Sequence, residues 1–391
     1  MYSLLLAVIY MAFISLGLPD SLLGSAWPVM HVQLGVPTSY AGIVSMIIAG
    51  GTILSSLMSD RLTRKFGAGL VTACSVLLTA VALFGFSISN SFLVLCLWGI
   101  PYGLGAGAVD AALNNYVALH YASRHMSWLH CFWGVGASIS PYIMGHCLSN
   151  GAGWSAGYRT VSVLQAVLTV VIFFSIPLWK KQSDSEGGKK NSAPAKSLRQ
   201  VFGIPGVPYI LLAFLGYCAL ESTAGLWASS FLVQSRGIEA ETAAKFASLF
   251  YLGITLGRFL CGFIADRVGD RNLIRAGLTT AVIGIAAIWL PAGNNSVALF
   301  GLVILGFGCA PIYPSIIHET PANFGKENSQ AVIGIQMASA YTGSTFMPPL
   351  FGLLANYAGV VFYPLFLMLF AALMIVMLEL LNRKKQISEQ D

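Results

Sequence analysis

Charge is what this sequence most lacks. Aspartate, glutamate, lysine and arginine together make up 9% of it, against roughly 25% in a soluble globular domain. That is too little to cover a water-facing surface, and it excludes an ordinary soluble enzyme or binding module. Alternating polarity over segments of about 10 residues, the mark of a membrane-spanning barrel, is also missing. No G-x-x-x-x-G-K-[ST] loop occurs, which excludes ATP as the energy source. The seven cysteines, Cys74, Cys96, Cys131, Cys147, Cys218, Cys261 and Cys309, show no metal-ligand spacing, and their number is odd. They are expected to be small buried apolar residues, with no metal centre and no disulfide framework. No nucleophile–base constellation stands out, so no enzyme and no cofactor are expected. The stretch Met1–Met30 lacks a basic opening segment and does not read as a removable signal peptide.

What is present is apolar length. Hydrophobic residues make up 56% of the chain, in runs of about 20 residues or more, the length a helix needs to cross a bilayer. A spanning backbone must satisfy its own hydrogen bonds, so these runs are read as helices. Twelve are predicted, near 3–31, 38–59, 68–89, 91–119, 126–149, 157–179, 207–234, 241–265, 273–292, 296–318, 328–356 and 360–381. Of the 21 basic residues, Lys245 and Arg258 fall in the eighth span. Arg159 and Arg236 fall in one set of alternating loops, and all the others in the opposite set. That bias places the basic loops and both termini in the cytoplasm, the expected location being a bacterial inner membrane. The net charge of +6 is explained by these loops and implies no nucleic-acid partner.

One long polar stretch, Lys180–Pro208, reads as a flexible linker. It divides the chain into a bundle of six helices at 1–180, a linker at 181–206 and a second bundle at 207–391. The halves repeat. Asp60-Arg61 and Arg64 follow span two, and Asp266-Arg267 and Arg271 follow span eight. Gly136, Pro141 and Gly145 in span five recur as Gly343, Pro348 and Gly352 in span eleven. A parallel repeat implies two bundles related by a pseudo-twofold axis along the membrane normal, with a site expected between them near mid-membrane.

The segments Ser59-Asp60-Arg61-Leu62-Thr63-Arg64-Lys65-Phe66-Gly67 and Gly262-Phe263-Ile264-Ala265-Asp266-Arg267-Val268-Gly269-Asp270-Arg271 resemble the signature loop of the major facilitator superfamily, G-x-x-x-D-R-x-G-R-[KR]. The resemblance implies an all-α membrane protein of twelve helices in that superfamily's fold, by default a monomer. An acid at this place can accept from a neighbouring helix N-terminus and from nearby arginines. Asp60, Arg61, Arg64, Arg258, Asp266, Arg267 and Arg271 are therefore the expected gating residues.

Acids in mid-span are costly, by about 2.5–3.5 kcal/mol on insertion scales. Asp20, Asp110 and Glu221 stand there nonetheless. Asp20 lies in Gly17-Leu18-Pro19-Asp20, where Pro19 removes a backbone donor and opens the helix. Gly17, Gly24 and Trp27 share its face. Asp110 is one turn from Asn114. Desolvation favours the protonated form of a carboxyl, which suits a proton-exchanging role. An acid in span one followed by Leu-Leu, and one in span four followed by Ala-Ala, resemble the fucose–galactose–glucose:proton symporter branch. Carried over, that resemblance makes Asp20 and Asp110 the proton site, with Asp20 also part of the sugar gate. Span five, from Trp128 to Ala137, resembles the same branch.

His130 and Trp133 lie one turn apart, and an indole suits the C–H face of a sugar. With Asp20, Asn114, Asn115, Glu221, Tyr313 and Gln336 they form the expected substrate set. Glu221 is read as facing the site if Gly225 marks the interior face. His31, His120, His125 and His318 read as interfacial or loop residues. The glycine run at Gly103, Gly105 and Gly107 reads as close helix packing. The expected activity is proton-coupled uptake of a sugar-like small polar solute by alternating access, with membrane lipid as the surrounding partner. The rivals are a drug:proton antiporter of the same fold, sodium-coupled sugar uptake, and a non-transporting nutrient sensor, which normally carries a long signalling extension.

Overall fold

The computed structural model describes residues 2–185, 196–290 and 295–388. They fold into helices joined by short turns: α1 (Tyr2–Asp20), α2 (Leu22–Gln33), α3 (Ala41–Phe66), α4 (Ala68–Ile88), α5 (Phe92–His120), α6 (Ser123–Ser149), α7 (Gly153–Ser185), α8 (Leu198–Phe202), α9 (Val207–Arg236), α10 (Ala240–Val268), α11 (Asp270–Trp289), α12 (Ser296–Cys309), α13 (Ile312–Phe324), α14 (Lys326–Ala358) and α15 (Tyr363–Ser388). The twelve expected spans map onto these. The first is the broken pair α1–α2, the tenth is α12–α13, and α8 is a short surface turn.

Among the described residues, ten spans are long and apolar enough to cross a membrane by length and composition. The two others of the twelve are α6 and α14. Both are long, but serines, histidines and amides dilute their apolar faces.

The signature segments are helical rather than looped. Asp60 and Arg64 lie inside the last turns of α3, and Asp266 lies inside α10. The turn proper is a single glycine in each case, Gly67 at φ 80° and Gly269 at φ 81°. Only a residue without a β-carbon adopts that backbone freely, and it ends one helix and starts the next at once. The expected linker is also shorter than read. Nothing between Trp179 and Ser185 breaks a helix, and α7 runs through it. At the far end Ser197 caps α8, accepting from the Gln200 N–H while the Gln200 side chain accepts from the Ser197 N–H. The run Glu186-Gly187-Gly188 and Lys189-Lys190 lies outside the described residues.

By contacts the chain forms two compact units. The first draws on Met1–Tyr116, Leu129–Lys196 and Ile333–Ala338. The second draws on Val117–Trp128, Ser197–Val332 and Ser339–Asp391. In the first, α4 packs extensively on α7 and α1 lies against both. Glycines let helices meet there. A β-carbon at Gly103 would lie 2.1 Å from the Ile48 carbonyl oxygen, and one at Gly107 equally close to that of Thr52. Ser55, Ser56 and Ser59 of α3 then donate to backbone carbonyls of α5. In the second unit, α11 packs on α12, α9 on α15, and α10 on α12.

Candidate functional site

The first acid sits at the break in the first span. Proline at 19 has no N–H, so the carbonyl of Ser15, four residues back, loses its helical partner. The buried side chain of Gln165 in α7 fills the vacancy, its Nε2 donating to the Ser15 oxygen at 2.7 Å. Gln165 Oε1 in turn accepts from Thr79 of α4 at 2.9 Å. Across the break, Ser21 donates to the Ala137 carbonyl at 2.7 Å, which Pro141 has freed in the same way. Gly17 and Gly136 bring α1 and α6 together. A β-carbon at Gly17 would lie 2.1 Å from the Trp133 carbonyl, and one at Gly136 would lie 2.0 Å from that of Ile14.

This bracing aims the Asp20 carboxylate at α5 and α6. Its Oδ2 accepts from the Trp133 indole N–H at 2.9 Å, and its Oδ1 from the Tyr102 hydroxyl at 3.3 Å. Asp20 is an exposed residue while Tyr102 is buried. The carboxylate thus has one donor on each oxygen, on a residue that is itself accessible. Tyr102 joins the candidate site through this bond, and sequence reasoning missed it, since a lone tyrosine in an apolar span carries no penalty to draw notice.

The second acid lies deeper. Asp110 Oδ1 accepts from Asn114 Nδ2 at 2.8 Å, and the same nitrogen donates to the Asp110 backbone carbonyl at 3.0 Å. The Asn114 carbonyl is thereby presented to His130, whose Nε2 lies 3.0 Å away and must be the donor. Phe13 meets the His130 ring edge-on at 5.4 Å. All three polar residues are buried. His130 and Trp133, one turn apart on α6, therefore serve the two acids separately, the imidazole on the Asp110 side and the indole on Asp20. Asn115 is buried beside Asn114, and its Oδ1 has no hydrogen-bond partner among the described residues.

In the second unit Glu221 of α9 faces α10. Its carboxylate lies 3.4 Å from Arg258, which also reaches the Tyr217 hydroxyl at 3.5 Å. Gly225, one turn further on, faces α10 as well, against Tyr251. Gly225 marks a helix contact rather than an open face. Arg258 is 5% exposed and stands apart from the signature segment with which the sequence grouped it. Eight residues along a helix is about 12 Å. Tyr313 joins this cluster through ring contacts with Phe214 at 4.6 Å and Tyr217 at 5.9 Å. Gln336 is fully buried in α14, within the segment Ile333–Ala338 that contacts assign to the first unit.

The signature acids hold helix ends. Asp60 pairs with Arg64 at 2.8 Å, one turn along α3. Asp266 accepts from the backbone N–H of Arg124 at 3.1 Å, and Arg124 Nε lies 3.4 Å from its other oxygen. That N–H belongs to the first turn of α6, where helix amides lack internal partners and a negative charge is favoured. Arg271 pairs with Glu319 at 3.1 Å. Arg61 and Arg267 are exposed.

The family model described as Major Facilitator Superfamily matches residues 9–317 and 210–391. Bypass of stop codon protein 6 of Saccharomyces cerevisiae is 24% identical, over 92% of this chain and 79% of that protein. The cis,cis-muconate transport protein of Acinetobacter baylyi is 23% identical, over 84% of this chain and 81% of its own. The fucose:proton symporter FucP of E. coli, in the outward conformation, superposes with a TM-score of 0.79 at 15% identity, covering 96% of this chain and 98% of that one.

Proposed function

Because the chain belongs to the Major Facilitator Superfamily and is a multi-pass transporter, we propose that it takes up a sugar or similar small polar solute together with protons, by alternating access, through an inner membrane with both termini cytoplasmic. The observation that carries this reading is the Asp20 carboxylate, exposed within a spanning segment and held between an indole and a phenol. A carboxylate flanked by aromatic rings suits a polyol, whose hydroxyls donate to the acid while its C–H face lies on a ring.

Asp110 is the proposed proton carrier. It is buried, and its carboxylate accepts from a neutral amide that tolerates either protonation state. When Asp110 takes a proton, its hydroxyl competes for the Asn114 carbonyl that His130 occupies. Protonation is thereby felt on α6, the helix that also carries Trp133. The fucose:proton symporter likeness supports sugar and proton. The muconate relative supports placing an unsaturated dicarboxylate beside the sugars in any trial.

The test is uptake into proteoliposomes against a panel of sugars plus muconate, with and without an inward proton gradient. Acceleration by the gradient is expected for one panel member. Asp110→Asn is expected to abolish that acceleration, lowering driven uptake about tenfold or more while leaving equilibrium exchange of the solute. Uptake in Asp110→Asn that still follows the gradient removes the coupling role.

A further inference from the structure

We propose that His318 is a proton-operated latch on the start of α6, a protonation site separate from the two acids of the first unit. His318 lies on α13 with both ring nitrogens engaged. Nδ1 is 2.6 Å from Asp270 Oδ2, and Nε2 is 3.1 Å from the backbone carbonyl of Tyr121. A backbone carbonyl can only accept, and a neutral imidazole has one N–H to give. That N–H must point at Tyr121, so Nδ1 meets Asp270 as an acceptor unless one further proton lies between them. The cluster closes on both sides only when it holds that proton, either as imidazolium against carboxylate or as neutral imidazole against carboxylic acid.

The surroundings make the contact a latch rather than an isolated pair. Asp270 Oδ1 accepts from the Ser123 hydroxyl at 2.5 Å, so the same carboxylate grips the first residue of α6. Asp266 holds the next residue, Arg124, by its backbone N–H. Trp128 donates to the Phe259 carbonyl at 3.3 Å, with Gly262 clearing the space for its ring. The carboxylates that act on His318 are Asp270 on α11 and Asp266 on α10; Arg271 and Glu319 are the sequence neighbours of Asp270 and His318, and His120, Arg124 and His125 flank Tyr121 and Ser123 on the captured stretch. Arg271 and Glu319 neutralise each other at 3.1 Å. The carboxylate in contact with the ring is Asp270, itself shared with Ser123. Tyr121, Ser123, Arg124 and Trp128 all belong to the stretch Val117–Trp128 that contacts assign to the second unit.

The closed cluster binds one proton more than the open one, so rising pH opens it and falling pH holds it shut. Above the midpoint, the closed-to-open ratio falls up to tenfold per pH unit. The consequence for transport rests on the gating reading of the signature segment, but the latch is tested without it.

Amide hydrogen exchange of the intact protein in detergent, read on peptides covering 121–128 from pH 6 to 9 and corrected for the intrinsic rate, is expected to lose up to tenfold protection per unit over part of that range. His318→Gln, which cannot titrate, is expected to show pH-flat protection there. His125→Gln, which removes an imidazole on the captured segment, is expected to keep the slope. Flat protection in the native protein overturns the proposal without any variant, and so does an unchanged slope in His318→Gln. If the slope is present and lost in His318→Gln, while that variant moves solute with a native pH profile, the latch stands and the gating reading fails.

Discussion

Glu221 and Arg258 show how a charge survives inside a span. Their side chains are 20% and 5% exposed and face each other at 3.4 Å. Each is tolerated because of the other, and removing one partner of a buried pair costs about 3–5 kcal/mol, whereas replacing both by apolar residues of similar volume is often neutral. Arg258→Met and Glu221→Leu alone are each expected to lower thermal stability in detergent by that order, and the double variant to recover most of the loss. Additive losses in the double variant would show that the two do not act as a pair. The acids of the candidate site could be singled out in the sequence because a carboxylate in an apolar run stands out by its insertion cost. Their partners were not. Tyr102 and Gln165 lie 82 and 150 residues from the groups they bind, and neither residue type is out of place where it stands. His318 looked like an interfacial histidine because the groups that engage it, Asp270 and the Tyr121 carbonyl, come from two other parts of the chain.

At the level of helices, proline writes part of the tertiary structure by subtraction. Pro19 and Pro141 each free a carbonyl, and Gln165 and Ser21 supply the missing donors from other helices. A buried acceptor left unmet costs about 1–3 kcal/mol. Gln165→Leu should therefore destabilise the protein by about that much, measured by thermal unfolding in detergent. Pro19→Ala, which restores the backbone N–H, should remove most of the penalty when combined with it. An equal loss from Gln165→Leu in both backgrounds would place the role of Gln165 elsewhere. The break at Pro19 could be read from the sequence, because the ring alone dictates it. The ends of α3 and α10 could not. The signature segment is polar enough to look like a loop, yet the pairing of Asp60 with Arg64 one turn on is a helical interaction. The polypeptide turns only at Gly67 and Gly269.

Across the whole molecule, the count of twelve helices came from hydropathy and from the lopsided distribution of lysine and arginine, both properties summed over long stretches and so robust to local error. The allotment of Val117–Trp128 to the second unit was not visible, because it depends on contacts from Asp266 and Asp270 that lie far along the chain. The polarity of α6 and α14 has a further consequence, for biosynthesis. Among the described residues, ten spans are long and apolar enough to cross a bilayer by length and composition, and α6, which carries His130 and Trp133, is not among them. Its entry is expected to depend on α1 and α5, whose Asp20 and Asn114 engage Trp133 and His130. A reporter fused after α6 alone should stay outside the lipid, whereas one fused after α1–α7 should integrate; integration of lone α6 as efficiently as α4 would refute this. Damage to the glycine contact between α1 and α6 should accordingly surface first as polypeptide discarded during synthesis, before any transporter exists to be found inactive.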